Sequence, residues 1–318
     1  MTDWYSIAGG LFLLTIGAEV LIRGSTALAR QIGVSELLIG LTLVGFGTST
    51  PELVSSVQAA LVGSPGVAVG NVVGSNIANI LLILGLSAAI APFAVDQKAF
   101  RRDGFVCLAA TLAVIGVSMT GEFGRIAGFA FLAAITIYIV YAFLSERSHP
   151  QSPLTEQHLE EAAKVQGPKA VWLDIVMAAG GLALLVFGAK FLVTGSISIA
   201  ADLGVSETII GLTVVAIGTS LPELVTSIMA AVRGKSGLAL GNVVGSNIYN
   251  LLGILGFTAA IHPVAAPKEI VAFDNWVMLG ATLLMMIFVM SGKRLSRAEG
   301  VLLAVCYALY VGWLVAKA

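Results

Sequence analysis

Apolar residues fall in continuous stretches rather than alternating ones. They cover 5–27, 37–62, 67–91, 104–120, 125–144, 171–196, 208–232, 238–261, 275–291 and 298–316, with short polar breaks between. A helix crossing about 30 Å of hydrocarbon needs roughly 20 mostly apolar residues. Runs of this kind are much longer than the alternating segments of about 10 residues in a membrane barrel. The pattern predicts an all-α polytopic membrane protein with ten transmembrane helices, the tenth read partly from symmetry because Arg297 and Glu299 open it. No Lys or Arg precedes the first run (Met1, Thr2, Asp3, Trp4, Tyr5), so that run reads as a retained span and not a cleaved leader.

One long polar stretch, residues 145–170, interrupts this series. It holds Pro150, Pro153, Gly167 and Pro168 and an acidic group at Glu156, Glu160 and Glu161, and it reads as a solvated linker with a helical turn or two at 155–165. It separates residues 1–144 from 171–318, five spans on each side.

The two halves repeat one another at a constant offset of 171 residues, with 39 identities in 60 ungapped positions between 33–92 and 204–263. With five spans per half, the second copy enters the bilayer upside down. Inverted repeats of this kind build secondary transporters, with the binding site near the midplane between the copies.

Composition narrows the function. Only 11% of the residues are charged and the net charge is −1, which leaves no basic surface for nucleic acid. Mean hydropathy is +0.97. Cys107 and Cys306 lie inside apolar runs, which argues against a disulfide framework or a zinc cluster. No HExxH motif and no buried Ser–His pair occurs, and no Asp falls in the core of a predicted span, so an enzyme is not expected. No obligate protein partner or cofactor is implied. Placing the N-terminus outside puts thirteen Lys and Arg residues in inner loops and three in outer ones, so both termini are expected outside and the linker in the cytoplasm.

Glu52 is the single ionisable residue between positions 37 and 62, and Glu223 the single one between 208 and 232. A carboxylate at membrane depth costs about 2.5–3.5 kcal/mol on insertion scales and needs a partner. No Lys or Arg recurs at matching positions in both copies to supply one. Each acid ends a GTS-x-PE motif, where Pro51 and Pro222 lack an N–H and release the carbonyls of Gly47 and Gly218. Thr48, Ser49, Thr219 and Ser220 add hydroxyls. The next span repeats GNVVGSNI-x-N, which puts Ser75 and Asn79 on one helix face, and likewise Ser246 and Asn250. Asn71, Asn76, Asn242 and Asn247 in the same motif read as packing residues. Carboxylates, carboxamides, hydroxyls and carbonyls form an all-oxygen shell, suited to Ca²⁺ or Na⁺ and not to soft metals. Two readings favour structure alone: Ser35–Glu36 and Ser206–Glu207 as helix N-caps, and Glu19 with Arg23 as a local i, i+4 ion pair.

GTS-x-PE followed by GN-x-x-GSN-x-x-N, present twice, resembles the alpha-repeats of the sodium/calcium exchanger family, and the likeness extends over all ten spans. The resemblance implies a prokaryotic, multi-pass inner-membrane antiporter that exchanges Na⁺ for Ca²⁺ by alternating access, the first and sixth spans sliding across the rest. It implies Glu52, Asn79, Glu223 and Asn250 as central ligands. Around them it implies Thr48, Ser49, Ser75, Thr219, Ser220 and Ser246, with the backbone carbonyls of Gly45 and Ala216. Potassium-dependent members have Asp where this chain has Asn250, and proton-driven calcium relatives have a GNA-x-E pattern that it lacks. A Ca²⁺/H⁺ antiporter using the same two glutamates is the alternative.

Overall fold

The computed structural model describes residues 2–31, 48–94, 97–147, 171–232, 236–292 and 294–317. In chain order they form α1 (Thr2–Gln31), α2 (Thr50–Leu61), α3 (Pro65–Ile90), β1 (Phe93–Ala94), α4 (Gln97–Ser118), β2 (Glu122–Phe123), α5 (Arg125–Arg147) and α6 (Val171–Leu203). There follow α7 (Glu207–Thr219), α8 (Leu221–Val232), α9 (236–261), β3 (Val264–Ala265), α10 (270–292), β4 (Arg294–Leu295) and α11 (Arg297–Lys317). Among the described residues, seven helices are long and apolar enough to cross a bilayer, or eight if α7 and α8 form one bent span. The molecule is an all-α membrane protein.

α3 and α9 lie at the centre. Their apolar windows are 78% and 72% buried, against 22% for α5 and 28% for α6 and α11. A helix covered on every side can turn polar residues toward its neighbours, as α3 and α9 do with their Ser and Asn residues. The rim helices do the reverse. Ile126, Ile137, Phe187 and Leu309 are all exposed and form an apolar belt for lipid.

α1 and α6 pack antiparallel through glycines spaced seven apart, which fall along one stripe of a helix. A Cβ on Gly10 would fall 2.8 Å from the Gly188 carbonyl oxygen, one on Gly17 would fall 3.0 Å from that of Gly181, and one on Gly24 would fall 2.8 Å from that of Asp174. Only glycine lets the two backbones approach this closely. Gly204, at φ +66°, closes the turn after α6. Ser206 then caps α7 by accepting the Ile209 N–H at 3.3 Å, as the sequence predicted. Ser35 and Glu36 lie outside the described residues.

Two features depart from the sequence expectation. Strands do occur, as antiparallel pairs two residues long: β1 with β4, and β2 with β3. Helix starts also come earlier than hydropathy predicts. α4 begins at Gln97 and takes in Lys98, Arg101, Arg102 and Asp103, and α10 begins at Ile270. Charged residues that reach the bilayer surface can occupy the first turns of a spanning helix, so apolar runs underestimate its length. α5 likewise continues to Arg147, past the expected boundary at 144, while linker residues 148–170 lie outside the described set.

Candidate cation site

Both copies of GTS-x-PE break their helix at the serine. Ser49 has φ −89° and ψ 8°, and Ser220 has φ −83° and ψ 11°, a bridge conformation in which regular helical pairing lapses. A proline two residues later is well placed, since the first turn of a new helix has no use for its missing N–H. Pairing resumes from the serines themselves: the Leu53 N–H donates to Ser49 O at 3.1 Å and the Leu224 N–H to Ser220 O at 3.0 Å. The break turns α8 by 48° from α7.

Each serine serves the glutamate of the other half. Ser49 Oγ donates to Glu223 Oε1 at 2.9 Å, and Ser220 Oγ donates to Glu52 Oε1 at 2.8 Å. Thr219 lies beside Glu52, and Thr48 beside Glu223. The two acids are within electrostatic reach of each other, with exposures of 1% for Glu52 and 0% for Glu223. Among the described residues neither forms an ion pair; Arg23 is bound to Glu19 at 2.6 Å, as expected, and Arg102 to Asp103.

α3 and α9 complete the surroundings. Ser49 Oγ also lies 3.3 Å from Ser246 Oγ, and Ser75 Oγ donates to the Ala216 carbonyl at 3.4 Å. One turn beyond these serines, Asn79 opens the π-helical segment Asn79–Leu84, and Asn250 lies in the segment Tyr249–Ile254. A third, Gly211–Val215, ends just before Ala216. Such widened turns displace carbonyls from the regular ladder and gather at functional sites. Nothing in the apolar pattern announced them. Gly45 and Gly47 lie outside the described residues; Thr48, Ser49, Glu52, Ser75, Asn79, Ala216, Thr219, Ser220, Glu223, Ser246 and Asn250 are each buried.

The asparagines divide by role. Asn71 Nδ2 donates to the Glu52 carbonyl at 3.1 Å and to Ser56 Oγ at 2.9 Å, while its Oδ1 accepts from Thr219 Oγ1 at 3.1 Å. Asn242 Nδ2 holds the Glu223 carbonyl at 3.4 Å and Ser227 Oγ at 3.0 Å in the same manner. These two fasten the glutamate backbones, in line with a packing role. Ser56 and Ser227 are partners the sequence reading missed.

Among the described residues, Glu52 Oε2, Glu223 Oε2, Asn79 Oδ1 and Asn250 Oδ1 take no hydrogen bond, and neither do Asn76 Oδ1 and Asn250 Nδ2. Leaving a buried polar atom unpaired costs about 1–3 kcal/mol, and more if it is charged. Two other acids, Asp274 and Asp103, are satisfied by tyrosines. Asp274 Oδ1 accepts from Tyr310 OH at 2.8 Å, and Asp103 Oδ1 accepts from Tyr138 OH at 3.0 Å. Both acids escaped the sequence reading because their tyrosine partners lie about 35 residues away on another helix.

The profile described as Sodium/calcium exchanger protein matches residues 2–145 and 173–316. The chain belongs to the sodium/calcium exchanger family. It is 36% identical over 305 residues to the putative antiporter CaxA of Alkalimonas amylolytica, covering 95% of each chain. It is 33% identical over 335 residues to the sodium/calcium exchanger MaX1 of Methanosarcina acetivorans, again covering 95% of each. It is 35% identical to the inner membrane protein YrbG of Escherichia coli, covering 96% of this chain and 94% of that one. Among solved structures, the sodium-calcium exchanger NCX_Mj soaked with 10 mM Na⁺ and 10 mM Sr²⁺ superposes with a TM-score of 0.64 at 32% identity, covering 98% of this chain and 97% of the other. Family and fold are those of a cation/Ca²⁺ antiporter, a transporter and not an enzyme.

Proposed function

We propose that this family member exchanges Na⁺ for Ca²⁺ by alternating access, through a site whose central ligands are Glu52, Asn79, Glu223 and Asn250. The observation that carries the reading is that each of these four residues has a buried oxygen without a donor among the described residues. The hydroxyls of Thr48, Ser49, Ser75, Thr219, Ser220 and Ser246 and the carbonyls of Ala216 and Gly45 supply the remaining oxygens. Ca²⁺ takes six to eight such ligands at about 2.3–2.6 Å. Two serine hydroxyls directed at the carboxylates fix their orientation while leaving the second oxygen of each for a cation.

The architecture we infer is ten spans in two inverted halves, 1–144 and 171–318, joined by a cytoplasmic linker at 145–170, in the inner membrane with both termini outside. The strand pairs support this. Residues in one hydrogen-bonded ladder lie on one side of a bilayer, so β1–β4 joins the loops near 93 and 294, and β2–β3 joins those near 122 and 264. The ten-span path puts the first two loops inside and the second two outside. Ser64 donates to Glu207, linking two further loops that this path places outside.

Two carboxylates carry a charge of −2, which one Ca²⁺ balances and three Na⁺ exceed by one. Ca²⁺ uptake into proteoliposomes is expected to require an outward Na⁺ gradient and to respond to voltage. One net charge per cycle is worth about 2.3 kcal/mol per 100 mV, so the Ca²⁺ ratio at equilibrium should change about fiftyfold for that step. Uptake driven by ΔpH without Na⁺ would replace Na⁺ with H⁺ in this reading. A Ca²⁺ ratio indifferent to voltage would make the exchange electroneutral.

A further inference from the structure

The two asparagines immediately after the paired serines, Asn76 and Asn247, occupy equivalent places in identical GNVVGSNI segments, yet they are bonded differently. Asn247 Nδ2 donates to the Asn76 backbone carbonyl at 3.3 Å, which fixes the two edges of its carboxamide. Its Oδ1 then accepts from Asn79 Nδ2 at 3.0 Å. With its nitrogen held, Asn79 presents an oxygen that takes no hydrogen bond.

In the other copy this arrangement is undone. Asn76 Nδ2 folds back along α3 to the Val72 carbonyl at 2.7 Å. Asn76 Oδ1 and both polar atoms of Asn250 are left without partners, although Asn76 and Asn250 are each only 1% exposed. The two orphans Asn76 Oδ1 and Asn250 Nδ2 are the acceptor and donor of the bond that Asn247 and Asn79 have made. The four asparagines are the same in both copies, and the difference lies in how they are engaged. It matches what two halves must show when they hold opposite states around one site.

Resting on the antiport reading above, we propose that Asn76 and Asn247 are positioning residues that act in turn. Asn247 orients Asn79 in the state described here. Asn76 orients Asn250 in the state open to the opposite face, donating to the Asn247 carbonyl as Asn247 now donates to that of Asn76. One carboxamide bond is made in each state, so the pair forms a two-position latch between α3 and α9 and biases which face of the membrane the site meets.

The test is hydrogen–deuterium exchange of the purified full chain in Na⁺- and Ca²⁺-free buffer, for Asn76→Ala, Asn247→Ala and the double variant, comparing peptides at 61–66 with those at 92–97. The single variants are expected to move the protection ratio of the two faces in opposite directions. Each shift should correspond to about tenfold in the access equilibrium, the worth of one buried hydrogen bond. The double variant should return near the native ratio. Should alanine prevent folding, Asn76→Leu and Asn247→Leu keep the volume and carry the same expectation. Shifts in the same direction, no shift, or a double variant displaced further than either single one would overturn the latch. Exchange needs no cargo, so it separates the two readings. Opposite shifts in a protein that moves no Ca²⁺ would keep the latch and remove the cargo assignment, while intact Na⁺-driven flux with parallel shifts would do the reverse.

Discussion

Glu52→Gln and Glu223→Gln are each expected to abolish Na⁺-driven Ca²⁺ uptake in proteoliposomes. Glutamine keeps the shape of the side chain, and Ser220 or Ser49 still finds an acceptor on it. What disappears is the charge on an oxygen that nothing else among the described residues satisfies. A hydrogen bond or contact to a charged group is worth about 1.5–3 kcal/mol. At 1.4 kcal/mol per factor of ten, losing one carboxylate should weaken Ca²⁺ binding by about a hundredfold. Isothermal titration of Ca²⁺ and flux measured on the same preparations would read this directly. The variants should fold at least as well as the native chain, because each removes a costly buried charge. Uptake that persists in either variant would remove that glutamate from the site.

Gly74→Ala is expected to be the most damaging single-methyl change in the centre of the molecule. A Cβ there would stand 2.6 Å from the Leu212 carbonyl oxygen, 2.7 Å from Leu212 Cα and 2.9 Å from Ala216 Cβ. Neither backbone can yield without α3 and α7 moving apart, and overpacking of this kind costs about 1–3 kcal/mol. The displaced pair carries Ser75 and Ala216, which touch at 3.4 Å, so transport should fall together with the thermal midpoint. Gly180→Ala is the control. Gly180 is exposed on α6, where a Cβ meets nothing within 4 Å among the described residues. That change should leave both readings unchanged or raise the midpoint slightly, because alanine favours the helix by about 0.8–1 kcal/mol. A Gly74→Ala protein with native melting and native flux would mean that the contact between α3 and α7 is not close-packed in the working molecule.

Much of this site is legible in the sequence because its residues are out of place there. A lone acid in an apolar run, a proline beside it and a second copy 171 residues on are conspicuous against lipid-compatible surroundings. Ser206 could be read as a cap for a similar reason, since capping is local chemistry. The π-helical segments were not legible: Asn79–Leu84 reads NILLIL, a sequence an ordinary helix also accepts. The strand pairs escaped because two residues show no alternation. The opposite engagement of Asn76 and Asn247 could not be read, since both sit in the same GNVVGSNI segment and what each one bonds is set by tertiary packing. Asp274 and Asp103 were passed over because hydropathy places them at helix ends and says nothing of tyrosines on the next helix.

The two small clasps, β1 with β4 and β2 with β3, have a consequence for how such a chain came to exist. In the inverted arrangement proposed here, each joins a segment of the first half to the non-equivalent segment of the second. A lone ancestral half, inserted in both orientations and meeting itself, would already have closed both clasps. Fusion of two genes then had only to keep a handshake that an antiparallel homodimer had established.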